Sequence, residues 1–497
     1  MRFREWSYNG SIMSQIPEQV DLVDGRRLTP TGRSGVALRH PDTGRLLADG
    51  LATDAATVDA ALAAAHRAWQ SRVWTDLPLE ERAQRLEACA AALEPLTTSG
   101  ALAEPESLNT GIPISVTGAM TGGLAGYFHA AAHFLRTRGD VEERPGRHGR
   151  VVLHRAPRGP AVVIAPWNAP SPIIVGRAAF AIAAGCPVIV KPSEWAPFTA
   201  DLVMAALAQV DLPAGLVQMV HGGATVGAQL VADRRARVVA FTGGLAAGRA
   251  IAAAAAPNFA QLQLELGGNN PAIVRADADL AATAAALARG MTKLNGQWCE
   301  APGKLIVHRS VAAELLERLL AELASLPIGP CLDPATVIGP MSHEARKTAL
   351  EAHIVAQVAA GATAHRVHTV PSSGGWFVAP AVLTGLPSSA ASTEVFGPVV
   401  TLHEYDSDDQ ALTMANEAGD GLAGFVFTAD VDAAFALGTR LRGGEIRING
   451  TGLFDLCDAS TQSFWGTSGM GGHGDVEVFE MFRGSRIIGV DDPAAPM

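Results

Sequence analysis

Ala161-Val-Val-Ile-Ala165 runs into Pro166-Trp-Asn-Ala-Pro170, and Pro187-Val-Ile-Val190 runs into Lys191-Pro-Ser-Glu194. Each is a short apolar strand followed by a proline-broken loop. A stretch at helical spacing comes next, to Ala184 in the first case and to Val210 in the second. The unit recurs twice. Residues 216–220 lead into Gly222-Gly223 and a helix to Ala232, and Val238-Val-Ala-Phe241 leads into Thr242-Gly-Gly244 and a helix to Ala256. Four strand–loop–helix units in succession predict an α/β fold with a parallel, doubly wound sheet. Their loops fall at the carboxyl ends of the strands, where ligands bind.

Working outward, residues 1–20 read as a loose leader, and 36–47 as a strand and turn. Residues 53–70, 80–93 and 122–135 carry helical periodicity. Residues 141–158 are strongly charged, hold Gly146 and Gly149, and continue into the alternating Val151-Val-Leu-His-Arg155. That predicts an exposed hairpin, an arm suited to packing on another subunit. Past Gly267-Gly268 a second α/β set begins at Ala272. Helices are expected over 280–295, 311–326 and 345–360, and strands over 305–307, 399–405, 424–428 and 444–449. The tail, 479–490, reads as a short polar strand that can extend a sheet edge in this chain or in a partner.

The chain has 497 residues, 48% hydrophobic and 18% charged, enough for two or three domains with large buried sheets. A net charge of −11 argues against nucleic acid or an anionic membrane as a general partner. The most apolar zone, 161–190, is cut by four prolines and carries Arg177, which does not suit a membrane span. Five cysteines without a C-x-x-C pair fit a reducing, cytoplasmic setting, and no signal peptide is evident. No H-E-x-x-H occurs, and His365 and His368 fall in an expected loop, so no metal site is expected.

One thiol stands apart. In Asn295-Gly-Gln-Trp-Cys299-Glu-Ala-Pro-Gly303 glycines bracket the cysteine and its near neighbours are polar. Cys89, Cys186, Cys331 and Cys457 stand in Ala-, Leu- or Pro-rich contexts without such bracketing, and most free cysteines are small buried hydrophobes. Cys299 is therefore the candidate nucleophile. Glu265, in Leu262-Gln-Leu-Glu-Leu266, alternates away from the leucines. It is either a solvated strand position or a carboxylate able to activate water. Asn168 either closes an Asx turn or offers its amide to a developing oxyanion together with the Cys299 N–H. Lys191 is one of only four lysines, so a compact ammonium at that strand end suggests a nucleotide beside Glu194 and Gly243-Gly244.

These residues fall in motifs that the chain shares, in order, with the aldehyde dehydrogenase superfamily, which it resembles from about residue 38 to 489. The motifs are Pro166-Trp167-Asn168, Lys191-Pro-Ser-Glu194, Phe241-Thr-Gly243, Leu264-Glu265-Leu-Gly-Gly268, Gly296-Gln-Trp-Cys299 and Glu394-Val-Phe396-Gly-Pro398. The resemblance implies that Cys299 attacks an aldehyde and that Glu265 activates water to release the acid. Asn168 would hold the oxyanion. Lys191 and Glu194 would hold the adenosine ribose, Glu394 the nicotinamide ribose, and Phe396 would lie beside the nicotinamide. Pro166, Trp167, Gly223, Gly227, Phe241, Thr242, Gly243 and Gly244 would complete the cofactor surface. Glu194 favours NAD over NADP. The implied division is a leader (1–20), an NAD-binding domain (21–140 with 159–267), an oligomerisation arm and tail (141–158 with 478–497), and a thiol-bearing catalytic domain (268–477). A homodimer or homotetramer is expected.

The chain departs from the family pattern at Gly244, where a serine is usual, at Asn269 and Lys304, and at Ser463-Phe-Trp-Gly-Thr-Ser-Gly469, shortened and without its lysine. Ala169, Pro172, Ile173 and Gly176 leave little bulk near the expected substrate tunnel, which favours a bulky or aromatic aldehyde. Trp298, Phe464 and Trp465 are either stacking faces for it or packing residues. Two other functions compete. One is a CoA-acylating or reductive relative, which Glu265 opposes because a water-activating base wastes the acyl group. The other is a catalytically idle binding protein, which an intact thiol, carboxylate and amide oppose.

Overall fold

The computed structural model describes residues 16–391, 393–417, 421–453, 456–457 and 460–492. The expected leader lies mostly outside them.

The four quoted strands form the centre of an eight-stranded sheet. Its parallel members run Val217–Met219, Val188–Lys191, Ala161–Ile164, Val238–Thr242 and Gln261–Glu265. The order reverses between Ala161–Ile164 and Val238–Thr242, the switch point that opens a crevice in doubly wound sheets. Alternation decides which side each residue covers. Val163, Val190 and Ala240 face one helical layer with Leu86, Phe128 and Phe180, and Val162, Ile189 and Val239 face another with Leu62 and Leu230. Asp21–Val23 and Arg26–Leu28 cap one edge antiparallel.

A seven-stranded sheet follows, with parallel strands Ala381–Thr384, Val399–Tyr405, Pro302–His308, Asn270–Val274, Gly421–Phe427 and Gly443–Ile448. Strand Thr363–Arg366 caps it antiparallel. His365 is thus on a strand, not in the loop expected from the sequence. Besides the one in the tail, four helices escaped the sequence reading: Ala103–Thr110, Ile114–Gly122, Asp408–Asn416 and Val431–Gly438. The first is short and weakly patterned because nearly all of it is buried.

Strands Val141–Pro145 and Arg150–Pro157 form the expected hairpin. The tail is not one strand: Asp475–Met481 is helical, and Arg483–Gly489 pairs antiparallel with Arg150–Pro157 of the same chain. Gly469–Met470, expected with the thiol-bearing unit, instead pairs with Leu264 and Glu265 at the edge of the first sheet. Among the described residues no helix is long and apolar enough to cross a membrane.

The edge strand is held by a buried charge cluster. His221 Nδ1 lies 2.9 Å from Asp21 Oδ1, and its Nε2 lies 3.1 Å from Asp201 Oδ1. Burial pushes this imidazole down, but Asp201 and Asp21 more than reverse that and hold it at about 9. A pKa raised in the folded state gives stability that is complete below the unfolded value, near 6.5, and is lost as pH rises through 9. Thermal melts of the native chain are expected to fall from pH 6.5 to 9.5 by on the order of 2 kcal/mol of stability. The variant His221→Gln should start lower and flatten that slope, and an unchanged slope refutes the assignment.

Candidate active site

The thiol loop begins where helix Leu280–Thr292 ends. Leu294, Asn295 and Gly296 take φ of +49°, +59° and +74°. Such left-handed conformations cost about 1–3 kcal/mol at each non-glycine residue and persist only if the surroundings enforce them. Asn295 supplies the enforcement. Its Nδ2 donates to the carbonyls of Gly111 and Pro340, both at 2.8 Å, and its Oδ1 accepts the Gly339 N–H at 2.7 Å. A Cβ at Gly296 would stand 2.2 Å from the Gly397 carbonyl carbon, so only glycine fits there. Gln297 is fully buried, with Oε1 accepting the Ser342 N–H at 3.0 Å. Asn270 Nδ2 donates to the carbonyls of Cys299 and Ala301, each at 2.9 Å. The backbone around the thiol is therefore fixed from both sides.

Cys299, only partly buried, donates its S–H to Glu265 Oε1 at 3.2 Å. Thr242 donates its hydroxyl to Glu265 Oε2 at 3.1 Å, and the Arg177 guanidinium lies 3.9 Å from the same oxygen. Asn168 donates its amide to the Gln297 carbonyl at 2.9 Å, two residues before the thiol. Sulfur, carboxylate and carboxamide thus converge from three distant parts of the chain. Burial pushes the Cys299 thiol well up, and the charges of Glu265, Glu300 and Glu394 add to it. Burial, with Glu445 and Glu265 nearby, also raises Glu300 to about 7. A sulfur flanked by carboxylates rests as the thiol, and the carboxylate it touches is the group placed to take its proton.

The expected cofactor residues sit at the carboxyl ends of the first sheet's strands. Lys191 is buried, and its Nζ donates to the carbonyls of Gly222 at 2.5 Å and Pro192 at 2.9 Å, 3.7 Å from Glu194 Oε2. Burial pushes its ammonium down, against the pull of Glu194. Gly223 and Gly227 lie against these two side chains: a Cβ would come within 3.4 Å of Glu194 Oε1 and 3.5 Å of Lys191 Cε. Gly243 covers the Phe241 ring, whereas a Cβ at Gly244 would meet nothing within 4 Å. Pro166 follows the strand, and the Trp167 ring stands edge-on to Phe396 at 5.4 Å. Glu394 rests against Gly267, where a Cβ would come within 2.7 Å of its Oε1, and that buried oxygen has no hydrogen-bond partner. Burial raises its carboxyl to about 8. An orphaned acceptor, an open backbone face at Gly244 and a paired Lys191–Glu194 fit a polyhydroxylated, phosphate-bearing ligand such as a dinucleotide.

On the substrate side the structure is selective. The apolar cluster around Cys299 comprises Ile112, Leu294 and Trp298, with Val116, Met120, Ala301 and Leu453 packed against it. Ile173 packs instead on the helical core of the first sheet. Ala169 sits at the N-cap of helix Pro170–Ala183. The gap expected beside Gly176 is filled by Tyr127, whose ring would lie 3.3 Å from a Cβ there. Phe464 is buried, and Trp465 is 49% exposed.

Several contacts escaped the sequence reading. Arg177 was legible only as a lone charge in an apolar helix, which is itself the signal of a buried functional partner. Asn270, Asn295 and Gln297 carried no pattern of their own. Glu300 read simply as a polar neighbour. Replacing Glu300 with Gln removes one of the negative charges facing the sulfur. Alkylation of Cys299 by iodoacetamide, followed against pH, is expected to shift its profile about one pH unit lower. A profile that stays in place rules out that charge as a brake on the thiol.

Comparison with known proteins extends the geometry. The model of the aldehyde dehydrogenase family matches residues 29–488. Geranial dehydrogenase of Castellaniella defragrans is 32% identical over 442 residues, 88% of this chain and 91% of that one. The 4-(hydroxymethyl)benzenesulfonate dehydrogenase of Comamonas testosteroni is also 32% identical, covering 96% and 99%. Among solved structures, aldehyde dehydrogenase C of Pseudomonas syringae, a mutant complexed with NAD+ and octanal, superposes with a TM-score of 0.89 at 30% identity, covering 97% and 98%. Betaine aldehyde dehydrogenase of Staphylococcus aureus in complex with NAD+ gives 0.91 at 26%, covering 96% of each chain. A family match over nearly the whole length, with a shared fold, leaves one conclusion: this chain belongs to the aldehyde dehydrogenase family.

Proposed function

We propose that the chain oxidises an aldehyde to a carboxylic acid with NAD, with Cys299 as nucleophile, Glu265 as base and Asn168 as oxyanion donor. The observation that carries this reading is the 3.2 Å contact from Cys299 Sγ to Glu265 Oε1, with the Asn168 amide tied to the same loop. Glu265 takes the thiol proton as the sulfur bonds to the aldehyde carbon. The carbonyl oxygen becomes an alkoxide, and the Asn168 amide with the Cys299 N–H stabilises it, at about 3–4 kcal/mol per donor. Bound NAD supplies the hydride acceptor. With the thioester formed, Glu265 gives the thiol proton up to solvent and, now a carboxylate again, takes a proton from water. The hydroxide bonds to the carbonyl carbon, the C–S bond breaks, the departing sulfur takes the proton back from Glu265, and the acid leaves.

Lys191 and Glu194 would hold one ribose of NAD, and Glu394 with its orphaned oxygen the other, while Trp167 and Phe396 bound the space between. Backbone N–H groups of the helix after Gly244 would serve the pyrophosphate. Glu194 at a 2′-hydroxyl repels a 2′-phosphate, which supports NAD over NADP. The apolar walls Ile112, Val116, Met120 and Trp298 support a bulky or aromatic aldehyde. Val141, Ile487, Ile488 and Val490, exposed on the arm, support a homodimer or homotetramer that covers them. The cysteines carry no disulfide among the described residues, which suits a cytoplasmic setting.

Absorbance of NADH with a panel of acetaldehyde, a medium-chain aldehyde and a substituted benzaldehyde tests the reading. Turnover should favour the larger aldehydes, and a preference for acetaldehyde overturns the substrate class. Cys299→Ala should abolish NADH formation. Glu265→Gln should slow both thioester formation and its hydrolysis, and lower turnover by roughly 100-fold or more; turnover at the native rate would sink the proposed base.

A further inference from the structure

We propose that Glu106 is a positioning residue for the Asn168 amide, and that helix Ala103–Thr110 sets the spacing between that amide and the Cys299 thiol. The inference rests on the reading of Asn168 as oxyanion donor and adds a residue to it.

Every residue of this helix except Glu104 is buried. Glu106 is wholly inaccessible, a costly place for a carboxyl without a compensating contact. The contact it makes is specific. Its Oε1 accepts the Ser171 hydroxyl at 2.7 Å and the Ser171 N–H at 3.3 Å. Ser171 stands in the first turn of helix Pro170–Ala183, two residues after Ala169 and three after Asn168. An alanine at the N-cap has no side-chain oxygen to offer, and no side-chain capping bond is made there. Glu106 supplies that acceptor from a different helix, and so fixes the turn that carries Asn168.

The other end of the same helix holds the thiol loop. Gln297 Nε2 donates to the Thr110 carbonyl at 3.4 Å, and Asn295 Nδ2 donates to the Gly111 carbonyl at 2.8 Å. Gly111, at φ +74°, closes the helix so tightly that a Cβ would stand 2.3 Å from the Pro340 carbonyl oxygen. The Asn168–Gln297 hydrogen bond at 2.9 Å completes a ring of contacts: Glu106 to Ser171, then Asn168 to Gln297, then back to Thr110. A rigid eight-residue rod is bonded near its middle to the loop of the amide and at its end to the loop of the sulfur. Burial pushes the Glu106 carboxyl up, and what Ser171 meets in the structure is its acceptor oxygen. Glutamine keeps that oxygen and is the conservative replacement.

Two reactions of one thiol separate this role from simple fold support. Oxidation of an aldehyde passes through a charged oxygen that Asn168 must meet. Alkylation of Cys299 by iodoacetamide needs the sulfur alone. Glu106→Ala is expected to lower kcat for NADH formation by roughly 10–100-fold, less than the 100–1,000-fold typical of deleting a donor outright. The alkylation rate should stay within about twofold of native, with Glu106→Gln restoring most of kcat and Asn168→Ala giving the same split more strongly. Equal loss of oxidation and alkylation in Glu106→Ala, or no loss of oxidation, overturns the positioning role. Full oxidation by Asn168→Ala overturns the oxyanion reading beneath it. If Glu106→Ala does not fold, Ser171→Ala removes the hydroxyl donor instead. It should show the same split at reduced size, and native kcat in it overturns the inference.

Discussion

The hydrogen bond from the Asn168 amide to the Gln297 carbonyl is the join on which the site depends. Asn168 follows a strand of the first sheet, and Gln297 lies in the loop that feeds the second. Each sheet is stabilised by its own parallel ladder and its own buried faces, and neither ladder orients one loop toward the other. That alignment comes from a few side chains that saturate backbone carbonyls across the gap: Asn168, Asn295 and Gln297. All are carboxamides, which carry a donor and an acceptor without bringing charge into a site already rich in carboxylates. The left-handed turn at 294–296 is affordable only because Asn295 uses both ends of its amide.

The electrostatics of the centre run against a ready-made thiolate. Glu265, Glu300 and Glu394 all raise the Cys299 thiol, and each pH unit is worth about 1.4 kcal/mol against ionisation. Enzymes that store a thiolate place a cation or a helix N-terminus beside it. Here the contact partner is a carboxylate, and the nearby cation, Arg177, lies 3.9 Å from Glu265 Oε2. The arrangement suits a sulfur that is deprotonated only as it reacts. A resting thiol is also slower to oxidise.

How far the sequence could be read depended on whether a feature was local. Parallel strands are buried on both faces, so they appear as apolar runs such as Ala161–Ile164, and the loops after them announce the ligand side. The thiol could be picked out because its glycines are adjacent to it. Helix Ala103–Thr110 could not, because a short helix buried everywhere but at Glu104 has no exposed face to set against a buried one, and hence no periodic signal. The tail was misread as one strand because Asp475–Met481 is too short for helical spacing to assert itself beside a true strand. Gly176 promised space, but the ring that fills it, Tyr127, arrives from a helix some fifty residues earlier, beyond any local rule. The pairing of Glu106 with Ser171 was invisible for the same reason.

The shortened motif at 463–469 shows which parts of a site tolerate change. Its missing lysine removes a side chain, yet the backbone there still does structural work. Leu266 donates its N–H to the Ser468 carbonyl at 2.9 Å, Gly469 pairs with Glu265, and Gln263 donates to the Gly472 carbonyl. These bonds need only a chain in the right path. A Cβ at Gly469 would lie 1.6 Å from the Leu264 carbonyl oxygen, so the glycine is required where the lysine is not. The segment therefore clamps the strand bearing Glu265 from its outer edge, while Gln263 on the same strand accepts from Arg177 at 2.7 Å. The carboxylate is fixed by its own backbone, by an edge strand contributed from two hundred residues away, and by the guanidinium behind it. With the carboxylate held so firmly, the proposed mechanism leaves to motion only the passage of protons through Glu265, one from sulfur and, after that one has left, one from water.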